Sequence, residues 1–168
     1  MKQISQLIFK FPEKWIHIRE IARKLKISPE TARKTLSRLK KQGIVEERKQ
    51  ANTLQFRARL ENEIYKREKM IFNLHIIYDS GIVNLLSNYY HPKTIVLFGS
   101  YARGEDTSTS DIDIGVITNN KKRPNLRIFE KKLSRRIELS LFTRKEVSNE
   151  FFTNIINGIV LKGVLKNE

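Results

Sequence analysis

Ile4, Leu7, Ile8 and Phe11 stand at i, i+3, i+4 and i+7, which predicts an amphipathic helix with one buried stripe, ended by Pro12. Ile18, Ile21, Ala22 and Leu25 repeat the spacing and predict a second, shorter helix. Ser28-Pro29-Glu30 opens a third: the serine can cap, proline suits the first turn, and the glutamate favours the positive helix end. This helix should run to about Gln42 and stop at Gly43. Ala32, Leu36 and Leu39 form its inner face; Arg33, Lys34, Ser37, Arg38 and Lys41 form its outer face. Beyond it, Ile44 to Arg48 and Thr53 to Arg57 predict two strands paired around a turn near Ala51-Asn52.

Leu60, Ile64, Ile71, Leu74 and Tyr78 predict a long helix over 60–79 with its apolar stripe in a core or a dimer interface. Ile82, Leu85, Leu86 and Tyr89 predict another, ended by Pro92, with Tyr78, Tyr89 and Tyr90 as packing residues. Neither carries a chemical motif. Thr94 to Phe98 reads as a buried strand that breaks at Gly99 and turns into a helix, and Asp111 to Ile117 reads as a second strand. Val147 to Ile156 predicts one more helix and Ile159 to Leu161 a last short strand. Together these elements make an α+β chain.

Hydrophobic residues at 39% and charged residues at 30% predict a folded chain rather than a disordered one. No apolar run approaches the roughly 18 residues of a membrane span, and the first residues lack a secretory pattern. A soluble, cytoplasmic protein without a membrane partner is expected. The absence of cysteine excludes disulfides, thiolate zinc sites and cysteine nucleophiles. His17, His75 and His91 are too far apart to suggest a zinc site.

The net charge of +15 is uneven: residues 1–60 carry 16 Lys and Arg against 5 acidic residues, and 61–168 carry 17 against 13. A basic first third either meets a polyanion or is merely solvated, and charge alone does not separate the two.

The chemistry concentrates between Gly99 and Asp113. Where the strand breaks at Gly99-Ser100, free backbone N–H groups and a hydroxyl suit phosphate oxygens. Asp111 and Asp113 stand at i and i+2, so both side chains leave one face of a strand, with Ile112 and Ile114 on the other. Two adjacent carboxylates repel, and a hard divalent cation would relieve the repulsion.

Two stretches resemble known families. Ile18 to Val45, with three helices and a following hairpin, resembles a winged helix-turn-helix domain. That resemblance implies nucleic-acid contact, duplex DNA first, through Arg33, Lys34, Ser37, Arg38 and Lys41. Gly99-Ser100, ten residues, then Asp111-Ile112-Asp113 resembles the nucleotidyltransferase superfamily that includes DNA polymerase β, and the wording Gly-Ser-x-Ala-Arg-Gly and Ser-Asp-Ile-Asp resembles its minimal members. The expected organisation is a basic winged helix over 1–59, a helical connector over 60–92 and a minimal nucleotidyltransferase domain over 93–168.

The second resemblance implies transfer of a nucleoside monophosphate from a nucleoside triphosphate to a hydroxyl, with two Mg²⁺ ions on Asp111 and Asp113. It also implies a third carboxylate on a neighbouring strand. Ile137, Leu139 and Leu141 share one face of the stretch Arg136 to Phe142, which leaves Glu138 on the other; Glu130, on a surface helix, is a poorer candidate. The family usually has aspartate there, so glutamate is a departure. Gly99 and Ser100 would grip phosphates. Arg103 would assist them or pair with the acidic loop, and Ser110 would bond a phosphate or orient Asp111. The large helical domain that positions a primer in polymerases is missing, so the acceptor has to be bound by the basic module, a second subunit or another protein. Minimal nucleotidyltransferases resemble antitoxins that modify a HEPN-type partner, which adds a protein acceptor or toxin to the expected partners, and the connector stripe adds a homodimer. The alternative reading is a DNA-binding regulator or antitoxin whose nucleotidyltransferase fold senses nucleotide or modifies its partner.

Overall fold

A computed structural model describes residues 2–165; Met1 and 166–168, the outermost positions of the expected end domains, lie outside the described residues. The chain divides into two compact units, 1–72 and 73–168.

The first unit contains α1 (Lys2–Lys10), β1 (Ile16–His17), α2 (Ile18–Leu25), α3 (Pro29–Lys41), β2 (Val45–Gln50) and β3 (Thr53–Ala58). Its antiparallel sheet has the order β1-β3-β2. The start of α3 forms as its sequence dictates: Ser28 Oγ accepts from the Thr31 N–H at 3.1 Å, and Pro29 occupies the first turn. Gly43, at φ +76°, reverses the chain after the helix. Ala51 and Asn52, both at positive φ, make the tight turn between β2 and β3. Ile8, Ile16, Ile21, Leu36, Leu39 and Phe56 form the middle of the core.

Two expectations change here. Phe11 is exposed, and Phe9 is buried in its place, packed on the rings of Tyr65 and Phe72. The sequence reading also passed over β1, whose two residues are too few to show alternation; Ile16 pairs with Phe56 across the unit.

The division between the units falls within α4 (Glu63–Ser80). Its buried face is not the predicted one. Tyr65, Lys69, Asn73 and Ile77 are buried at successive i+4 steps, whereas Ile64, Ile71 and Tyr78 are about half exposed. The stripe was misread because two of the buried positions are polar.

The second unit continues with α5 (Ile82–Tyr90), β4 (Thr94–Phe98), α6 (Gly99–Arg103), β5 (Ile112–Ile117), α7 (Arg127–Leu133), β6 (Ile137–Phe142), α8 (Asn149–Ile156) and β7 (Ile159–Gly163). On α5, Ile82, Leu86 and Tyr90 are buried, but Tyr89 is exposed and packs edge-on against Tyr90. The sheet has the order β6-β5-β4-β7, antiparallel except for the parallel pair β5–β6. One sheet face packs Ile95, Leu97, Ile112, Ile114 and Leu139 into the main core. The other carries Val96 and Phe142 beneath Phe152 and Ile155 of α8. An alanine methyl at Gly115 would stand 3.0 Å from Ile155, so α8 closes this second face from Gly115 onward. Asp113, two residues earlier on that face, stays half-buried. No described helix is long and apolar enough to cross a membrane.

Candidate functional site

Gly99 sits where β4 ends and α6 begins, at φ +72°, a conformation that favours glycine. A side chain there would meet Asp113: an ideal Cβ on Gly99 lies 2.1 Å from Asp113 Oδ2. Glycine therefore lets the turn approach the carboxylate. Ser100 follows, half-buried, and Arg103 is exposed at the end of α6.

Asp113 pairs with Phe98 of β4 on one side and with Glu138 of β6 on the other. Asp111 lies just before β5 and is half-buried. Burial first, then the charges of Asp111 and Glu138, raise the Asp113 carboxyl above its ordinary pKa, and Arg103 partly offsets them. Asp113 thus stands in the field of both neighbouring carboxylates. Glu138 is the most exposed and has Arg136 Nη2 at 3.7 Å from Oε2.

Among the described residues no group of three or more His, Asp or Glu side chains is already gathered at metal-holding distances. The donor set nevertheless fits a hard divalent cation, because it consists of mutually repelling carboxylates whose charge an ion would offset.

The neighbouring loop is held by its own bonds. Ser110 Oγ accepts from the Thr107 N–H at 2.9 Å, a loop-bracing contact. Arg103 Nε lies 2.8 Å from Glu105 Oε2, so it pairs with the acidic loop while its charge still reaches Asp113.

The sequence reading missed Asp106. It is buried, accepts from Asn73 Nδ2 at 2.7 Å, and has Arg135 Nη2 at 3.9 Å. Asn73 also donates to the Tyr101 carbonyl, which ties the loop to α6. These partners are distant in sequence, so no local pattern revealed them.

In the first unit Arg33, Lys34, Ser37, Arg38 and Lys41 are all exposed on α3, with Lys34 in a 3.8 Å pair with Glu30. A groove of about 650 Å³ runs between α2, the start of α3 and the β2–β3 turn. It brings Arg19 and Arg23, which the sequence reading did not single out, beside Arg33, Asn52 and Thr53. Behind the turn, the guanidinium groups of Arg48 and Arg57 stack on Trp15 at 4.3 and 4.6 Å from the ring centre.

Residues 80–164 match the family model described as polymerase beta, nucleotidyltransferase, and residues 10–95 match that of the penicillinase repressor. A protein of Methanocaldococcus jannaschii, whose name provisionally makes it a protein adenylyltransferase, is 38% identical over 74 residues, covering 40% of this chain and 72% of that protein. A mutant of Lactococcus lactis ZitR is 20% identical with a TM-score of 0.38, covering 51% of this chain and 59% of its own. The structure of a candidate nucleotidyltransferase from Sulfolobus solfataricus is 22% identical with a TM-score of 0.32, covering 60% of this chain and 92% of its own. The turn and the paired aspartates thus fall within the matched part of a chain that belongs to the polymerase beta nucleotidyltransferase family and carries a repressor-type winged helix ahead of it.

Proposed function

We propose that the second unit transfers a nucleoside monophosphate from a nucleoside triphosphate to a hydroxyl, under the control of a DNA-binding first unit. The observation that carries this reading is that the Gly99 turn closes on Asp113, which pairs with Glu138 in strand register and feels the charge of Asp111. Gly99 and Ser100 hold the outer phosphates through the main chain and the hydroxyl. Asp111 and Asp113 would hold divalent cations, two Mg²⁺ by the family resemblance, with Glu138 completing the set. Bound there, such ions neutralise charge on the triphosphate and on the entering and leaving oxygens. Glu138 receives the proton of the attacking hydroxyl. Arg103 adds a cation near Asp113, and Ser110 keeps the loop before Asp111 in shape.

The name of the Methanocaldococcus jannaschii relative makes an adenylyl group and a protein hydroxyl the first donor and acceptor to test. The exposed basic face of α3, with the groove that Arg19, Arg23 and Arg33 line alongside Glu20 and Glu30, supports duplex DNA as the ligand of the first unit.

Calorimetry with each triphosphate, with and without Mg²⁺, followed by detection of released pyrophosphate, tests the enzyme reading. Binding that the double substitution Asp111→Asn with Asp113→Asn leaves unchanged would sink the site. A regulator that only senses nucleotide is the second reading, supported by the ion pair that engages Glu138 with Arg136. It predicts binding without pyrophosphate release for any acceptor.

A further inference from the structure

Asp106 lies on the loop that leads from α6 to Asp111, and at 2% exposed it is the one buried acidic side chain among the described residues. A carboxylate held away from water needs partners, and these come from other parts of the second unit. Asn73 Nδ2 donates to Asp106 Oδ1 at 2.7 Å and to the Tyr101 carbonyl at 2.9 Å, so one buried amide is shared between the loop and α6. Arg135 Nη2 stands 3.9 Å from Asp106 Oδ2, on a side chain that is itself mostly buried. The buried Tyr101 hydroxyl feels the same groups: burial first, then the charge of Asp106, raise its pKa, and Arg135 partly offsets them.

Each partner leads to a different part of the site. Tyr101 belongs to α6, which begins at Gly99. Asp106 starts the stretch that the Thr107–Ser110 bond braces, and Asp111 follows directly. Arg135 stands at the root of β6, where the next residue, Arg136, accepts from the Ile112 N–H through its carbonyl and pairs with Glu138 through its side chain. One buried carboxylate therefore joins the turn, the loop before Asp111 and the strand of Glu138. Ser100, Asp111 and Glu138 are themselves half-buried or exposed, so the parts that carry them have to be held from behind. A constellation of oxygen ligands works only when its members keep their spacing to within about 0.5 Å.

We infer that Asp106 is a positioning residue: through Asn73 and Arg135 it sets the spacing of the Gly99 turn, Asp111 and Glu138, and with it the affinity for a divalent cation and a triphosphate. That role rests on the nucleotidyl-transfer reading of the site. Asp106 acts from beneath, because its carboxylate is engaged by buried partners. An ion pair taken out of water adds little net stability, yet removing one member leaves a lone charge. Removing both leaves a neutral contact, which restores stability but has no preferred geometry. Stability and placement are therefore separable.

The test is calorimetry of the full chain with ATP over a series of Mg²⁺ concentrations, paired with melting temperatures in chelator. Asp106→Asn keeps the shape of the side chain and can still accept from Asn73, but it leaves Arg135 without a carboxylate. This variant should melt lower than the wild type. It should also need about tenfold or more Mg²⁺ for half-saturation with ATP, the usual effect of losing a group that orients a metal ligand. Asp106→Asn with Arg135→Met should regain most of the melting temperature and keep the raised Mg²⁺ requirement. A wild-type Mg²⁺ requirement in either variant would show that the cluster only holds the fold, and would overturn the positioning role. A double variant that melts no higher than Asp106→Asn would overturn the link to β6 through Arg135. Both results leave nucleotide binding standing. A wild-type protein that fails to bind ATP with Mg²⁺ would overturn the nucleotidyl-transfer reading as well.

Discussion

The position a Cβ would occupy on Gly99 is 2.1 Å from Oδ2 of Asp113, so the turn after β4 and the Asp113 carboxylate share one space that only a glycine leaves open. Gly99→Ala has two effects of different size. The backbone strain at φ +72° costs about 1 kcal/mol, which a folded unit tolerates. The clash falls on the end of the Asp113 side chain and displaces it. Thermal denaturation should therefore show a modest loss, whereas calorimetry should show ATP binding with Mg²⁺ weakened by about tenfold or more.

Asp113→Asn should stabilise the metal-free protein. Burial and the charges of Asp111 and Glu138 raise this carboxyl, with Arg103 in partial opposition. A carboxyl whose folded pKa exceeds its unfolded value binds its proton more tightly in the folded state. Its charged form thus lowers stability at neutral pH, and that deficit disappears as pH falls through the folded pKa toward the unfolded value. In chelator, the melting temperature of Asp113→Asn should exceed that of the wild type at pH 7, and the gap should close in mild acid. Added Mg²⁺ should raise the wild type and leave the variant where it was. A variant that melts lower than the wild type in chelator would falsify the repulsion argument.

Glu138→Gln should leave folding and ATP binding nearly intact but suppress transfer. On the proposed reading Asp111 and Asp113 would still hold a cation against the triphosphate, while the group proposed to take the proton is gone. The expected loss is on the order of 3 kcal/mol, or about a hundredfold in rate. Glu138→Asp restores the family residue and shortens the reach by one methylene. A faster rate in that variant would mean that the glutamate detunes the site.

Arg33→Ala with Arg38→Ala should weaken binding to duplex DNA and flatten its salt dependence. With ~4–6 phosphates neutralised, the wild type should show a log–log slope of roughly −4 to −5, and each lost phosphate contact should reduce it by about 1. Arg19→Ala with Arg23→Ala, on the groove beside the turn, should act in the same direction. Equal slopes for all three proteins in a salt titration would place the DNA contact elsewhere.

Periodicity made most elements legible, because α2, α3, β5 and β6 keep most of their apolar residues on one face, while β4 is a continuous apolar run buried on both. It failed where burial does not follow hydrophobicity. Lys69 and Asn73 lie on the buried face of α4, so the apolar residues Ile64, Ile71 and Tyr78 drew the stripe to the wrong side. Gly99, Asp111 and Asp113 lie in one short stretch and could be grouped before any fold was known. The position of Glu138 beside Asp113 is a matter of strand register, and alternation within β6 indicated only its face. Asp106 had no local signal, since Asn73 and Arg135 come from other elements.

The parallel pairing of β5 with β6 also leaves the two strand pairings with unequal loops to close. β4 and β5 are antiparallel and close over 99–111, whereas β6 joins only after the segment 118–136 has folded back. The longer closure carries the larger entropy cost, by about 0.3 kcal/mol at these lengths, which favours the β4–β5 pairing first. A route on which β6 joins last would bring Glu138 to Asp113 late, so that their repulsion bears on the nearly finished sheet. Substitutions at Glu138 should change how fast the unit unfolds and leave its folding rate untouched.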